Sequence, residues 1–163
     1  MKALILAVLM VPAIACAAET GDSVSAKTLT GIIGAVTAQR QYMNAVADYC
    51  ADKYPNLRNM AARTRQDWTQ RYAHALSKVP RAKDRIVQIL SGQGEDPDQA
   101  RSELNRLLKN NAKAATTKMM DRIQHGLDES TDCMRVLTGL SAGAELDLKI
   151  LYEDEMKMLE SLQ

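Results

Sequence analysis

Apolar residues recur along this chain at the spacing of helices. Leu29, Ile32, Ile33, Val36, Met43, Val46 and Cys50 stand mostly three or four apart and share one helical face, until Pro55 stops the run. A second stripe, Leu57, Met60, Ala61, Thr64, Trp68, Tyr72, Ala75, Leu76 and Val79, starts near Asn56 and is predicted to break or kink at Pro80. A short helical piece with Ile86, Ile89 and Leu90 follows and ends in the loop Gly92, Gln93, Gly94. The clearest start signal comes next: Asp96 as N-cap, Pro97 at the first helical position and Gln99 where a capping-box partner sits. Leu104, Leu107, Leu108, Ala112, Ala115, Met119, Ile123 and Leu127 keep the period of a long helix, with Gly126 a candidate stop. The pattern resumes through Cys133, Val136, Leu137 and Leu140, and a last helix runs to the end. Gly139 and Gly143 leave the stretch from Thr138 to Ala144 open to a break or to close helix contact. These stripes predict an all-α, single-domain bundle of four or five amphipathic helices.

The first eighteen residues follow another rule. Lys2, the apolar run Ala3 to Val11, Pro12 and the small residues Ala13 to Ala18 are the three parts of a secretory signal peptide. Ala3 to Ala18 is shorter than the roughly 20 apolar residues a membrane span needs, so no integral membrane segment is expected after cleavage. Residues 1–18 are read as the cleaved signal, 19–27 as a flexible start and 28–163 as the helical domain. Cleavage after Ala17 or Ala18 discards Cys16; a cut before Cys16 would instead leave a lipid-modified cysteine, but Ala13 stands where lipoproteins carry Leu. Cys50 and Cys133 then remain, an even pair in an oxidising compartment, and one disulfide is predicted. Closing a loop of about 83 residues disfavours the unfolded chain by roughly 4–5 kcal/mol. The wide spacing excludes a Cys-x-x-Cys redox motif and haem attachment through Cys-x-x-Cys-His.

Composition agrees with the pattern. The 163 residues include no Phe, one Trp and five Tyr, a poor supply for strands, and 46% hydrophobic residues, enough for a core. Charge is balanced overall but divided along the chain. Lys53 to Arg122 carries 15 basic and 7 acidic residues, whereas Ile123 to Gln163 carries 3 basic and 9 acidic. Either the acidic last helix lies beside the basic middle helices, or the basic segment presents a face to an acidic partner. Nucleic acid is not expected as that partner, because the cations are not interleaved with stacking aromatics and export removes the chain from cytoplasmic DNA.

Two histidines, His74 and His125, limit the chemistry. There is no His-Glu-x-x-His, no Gly-x-Ser-x-Gly and no phosphate-cradling glycine loop. Glu153 and Glu155, two apart on a helix, diverge and cannot share a substrate. Asp121, His125, Asp128 and Asp132 are spaced four, three and four, and on a continuous helix they form one stripe with metal-ligand chemistry. That stripe points away from Met119, Met120, Ile123 and Leu127, so it reads as a solvated face, and neither metal nor other cofactor is assigned. Methionines in the apolar stripes read as gap-fillers rather than copper or haem ligands.

The most distinctive local feature is aromatic: Tyr49, Tyr54, Trp68 and Tyr72, near Cys50 and Pro55. These rings either fill the space around the disulfide or, framed by Arg63, Arg65 and Arg71, form a partner-binding patch. Missing catalytic signatures and a neutral exported bundle give the expectation of a non-enzymatic periplasmic or secreted protein. It acts by binding another protein, as inhibitor, immunity factor or accessory subunit. The alternative is a periplasmic metal or haem carrier using His74 or His125.

Overall fold

A computed structural model describes residues 25–144 and 147–162; the signal-peptide reading of residues 1–18 lies outside them. Ser25 caps the first helix, its hydroxyl accepting from the Thr28 amide, so α1 (Ala26–Lys53) starts two residues before the expected boundary. A 3-10 turn at Pro55–Leu57 leads into α2 (Arg58–Arg71) and α3 (Ala73–Gly92). Asp96 accepts from the Asp98 and Gln99 amides and launches α4 (Pro97–Gln124), as its sequence predicts. Asp128 caps α5 (Glu129–Ala142) through the Thr131 amide. Two short pieces, α6 (Leu148–Leu151) and α7 (Glu153–Ser161), form a C-terminal arm. The described residues hold no strand, and their seven helices pack as five units, because α2 runs into α3 and α6 into α7.

α1 is the axis of the bundle. It buries Leu29, Ile32, Ile33, Val36, Tyr42, Met43, Val46, Ala47 and Cys50, and α2, α3, α4, α5 and α7 all pack on it. The α2–α3 unit returns antiparallel to α1. α4 runs parallel to it: a Cβ on Gly34 would lie 3.7 Å from Leu108 Cδ2, and the start of α5 meets the end of α1, where Lys53 pairs with Glu129. Cys50 and Cys133 form the predicted disulfide between α1 and α5, both fully buried. α7 then lies on α3 and α1.

The structure differs from the sequence expectation at Pro80 and in the last helix, which is divided at Tyr152 into α6 and α7. α3 continues through Pro80, and the interruption falls eight residues earlier, at Tyr72. Pro80 is exposed, and on a solvent-facing side the carbonyl that a proline frees turns to water. Tyr72 is 1% exposed, and its ring and hydroxyl are held by tertiary partners that fix the bend there. The Thr138 to Ala144 question resolves as one helix that passes Gly139 and ends at Gly143, whose φ of +72° is the left-handed stop glycine favours. A side chain at Gly143 would also collide with Arg71, its Cβ only 2.8 Å from Arg71 Cζ.

Candidate functional site

The aromatic and arginine residues singled out by sequence divide between core and frame. Trp68 is 1% exposed, stacks at a tilt on Tyr72 with 4.9 Å between ring centres, and donates from Nε1 to Gln39 Oε1 at 3.2 Å. Gln39 lies eleven residues before Cys50, about 16 Å along α1, so this ring pair sits away from the disulfide. Tyr49, next to Cys50, donates instead to Glu129, which also receives Lys53, joining the end of α1 to the start of α5. Tyr54 is half-buried against the core.

Each polar group around Trp68 and Tyr72 has a structural task. Tyr72 donates its hydroxyl proton to Asp147 Oδ1 at 2.8 Å and accepts from the Leu148 amide at 3.1 Å, which fixes the entry of the arm. Burial and the bond to Asp147 push this phenol up to about 12. Arg71 donates to the Leu140 carbonyl at 3.1 Å and to the Ser141 carbonyl, satisfying two of the orphan acceptors at the C-terminus of α5. Asp67 accepts from the Ser141 hydroxyl rather than from its neighbours on α2. Arg65 pairs with Asp48 across to α1. Of the three arginines, Arg63 alone is exposed, and Arg65 and Arg71 are half-buried.

The acidic row with His125 is divided by the helix end. α4 stops at Gln124, with His125 as its C-cap, so the stripe is not continuous. Asp121 and His125 face each other at 3.1 Å, Asp128 caps α5, and Asp132 pairs with Arg135 while its carboxylate fills the space beside Gly126. Among the described residues no group of three His, Cys, Asp or Glu is placed to hold a metal ion. Met43, Met120 and Met156 are buried in the core. Nor is any helix among the described residues long and apolar enough to cross a membrane.

The sequence predicted a last helix where the arm lies, but not the arm's exposed outer side. Its inner side seats Leu148, Met156 and Leu159 in the core, and Lys78 ties its end by donating to the Leu162 carbonyl. Its outer side presents three consecutive apolar residues: Ile150 is 77% exposed, Leu151 55% and Tyr152 36%. Glu153, Asp154 and Glu155 follow directly, and an open depression lies between Ala144, Asp147, Ile150 and Leu151. The signal was present in sequence as an apolar triplet that the period of Leu148, Met156 and Leu159 does not use.

Leu127, expected in the α4 stripe, lies past the helix end and is fully exposed; a further exposed feature is the outer face of α4. From Leu104 to Met120 it contains no acid, while Arg106, Lys109, Lys113 and Lys118 are all exposed. Arg106 pairs with Glu103, but among the described residues no carboxylate lies within ion-pair distance of Lys109, Lys113 or Lys118. The acidic arm lies beside α3, where Glu160 is 3.9 Å from His74, and no ion pair among the described residues joins it to α4. The acidic last helix thus lies beside one basic middle helix, α3, and only the outer face of α4 keeps its cations apart from it. No family model, curated protein or solved structure matches the chain.

Proposed function

We propose that this chain is a non-enzymatic exported protein that acts by binding another protein, as an inhibitor, immunity factor or accessory subunit. The observation that carries the reading is the exposed triplet Ile150, Leu151 and Tyr152 on the arm. Apolar side chains grouped at one surface point, rather than scattered, are what a protein contact buries. The arm is also anchored well enough to present them, through Leu148, Met156, Leu159 and the Tyr72 to Asp147 bond. Export is supported by the three-part pattern of residues 1–18 and by the buried disulfide, which suits an oxidising compartment. The binding face therefore moves from the Trp68 and Tyr72 rings, which are core, to the arm.

A photo-crosslinking residue placed at Leu151 or at Arg63 tests this in the exporting host. The expected result is a protein adduct from Leu151 and none from Arg63. An adduct from Arg63 alone would return the binding face to α2, and no adduct from either position would contradict the proposal.

A further inference from the structure

We infer that the arm of one copy docks on the outer face of α4 of a second copy, so that the chain associates with itself head to tail. This rests on the reading of the arm as a protein-binding surface and names its partner. The two surfaces are opposite in net charge, and one is apolar where the other is an open depression. The arm offers Ile150, Leu151 and Tyr152 followed by Glu153, Asp154 and Glu155; Glu153 is paired with Lys157 at 2.6 Å, while Asp154 is exposed and has no ion-pair partner among the described residues. α4 offers the exposed cations Lys113 and Lys118 at the edge of a shallow, open depression floored by Asn110, Ala114 and Thr117, with exposed Lys109 one turn before Lys113. Small residues at the centre let a partner approach closely, and lysines at the edges meet its acids. Asp121, exposed and 3.1 Å from His125, lies at the far end of the depression and is the one acid in its lining.

Within one chain the surfaces cannot satisfy each other. The arm is fixed on α3 and α1 through Tyr72 and Lys78, and no ion pair among the described residues joins it to α4. A near-neutral protein with separated cationic and acidic faces attracts a second copy of itself, and this attraction weakens as salt screens it. The contact is heterologous, since the arm and α4 are different surfaces. It closes only if the second copy's arm returns to the first copy's α4; otherwise it propagates.

Sedimentation velocity of the disulfide-bonded mature chain over a concentration series, at low and at high salt, reads this association. The expected result is reversible association at low salt that weakens by about tenfold or more at high salt. Two charge-reversed variants make the test specific: Lys113→Glu with Lys118→Glu, and Glu153→Lys with Asp154→Lys. All four positions are exposed, so both variants keep the fold. Each variant alone should be monomeric, because its arm and α4 then carry like charge, and an equimolar mixture should associate again. A wild-type chain that stays monomeric at low salt, or variants that associate alone as the wild type does, would overturn the inference. In either case an adduct from Leu151 to a different protein would leave the protein-binding reading standing. Absence of that adduct while the wild type self-associates through another face would remove both.

Discussion

α1 and α4 each have 28 residues, yet α1 exposes 8 of them and α4 exposes 18. The difference lies in the width of the buried stripe. α1 buries pairs such as Ile32 with Ile33, Tyr42 with Met43 and Val46 with Ala47, so most of its turns are enclosed on two sides. α4 buries one residue per turn, Ala100, Leu104, Leu108, Ala112, Thr116 and Met120, each four after the last. Steps of four overrun the 3.6-residue turn by roughly 40°, so the seam winds around α4 and leaves most of its circumference to solvent. Helix length therefore says little about role here. α1 organises the fold, and α4, whose outer face is acid-free from Leu104 to Met120, is surface laid along it.

The comparison can be broken most severely at the anchor of α1. Replacing Cys50 and Cys133 together by Ala frees the unfolded chain from an 83-residue loop and should lower stability by roughly 4 kcal/mol, read by urea denaturation. A single cavity in the α1 stripe comes next: Ile33→Ala, at a fully buried position, should cost about 3 kcal/mol in the same assay. Arg71→Ala removes the donor to the last carbonyls of α5 and should cost about 2 kcal/mol. A loss well below 0.5 kcal/mol would show those carbonyls to be hydrated and Arg71 free for a partner.

Alkaline pH gives an effect of similar or smaller size. The phenol of Tyr72 is raised from its ordinary value near 10 to about 12 by burial and by its bond to Asp147. Its contribution is complete below pH about 10, where the phenol is neutral in both folded and unfolded chains, and is lost as pH rises toward about 12. Tyr72→Phe should flatten that part of the stability profile, and the absorbance change near 295 nm that the wild type shows toward pH about 12 should be reduced in this variant. The smallest effect belongs to α4: Lys113→Ala, exposed and without an ion-pair partner among the described residues, should change stability by less than about 0.5 kcal/mol.

Local signals were legible in the sequence where a single residue type decides the outcome. Asp96 followed by Pro97 specified the start of α4 through cap chemistry, and the even pair Cys50 and Cys133 specified the disulfide. Gly126 stands two residues past the end of α4, but the sequence left open whether one bent helix or two follow there, so the division of the Asp121, His125, Asp128 and Asp132 row came only from the structure. Signals that depend on tertiary partners were not legible. Pro80 is a strong local breaker, yet the bend settled at Tyr72, because Asp147 and Leu148, distant in sequence, hold its hydroxyl. Trp68, Tyr72 and Arg71 have the composition of an interface, but the same chemistry serves a core ring pair and a helix cap. The arm's exposed outer side escaped notice because an apolar triplet in a short helix carries no period long enough to separate inner from outer.

Amide hydrogen exchange of the disulfide-bonded chain tests the division between α1 and α4 most directly. The account predicts that the amides of α1 from Ile33 to Val46 exchange only by global unfolding, while those of α4 from Asn110 to Lys118 open locally and exchange much faster. Equal protection along both helices would contradict it, because α4 would then be as integral to the core as α1.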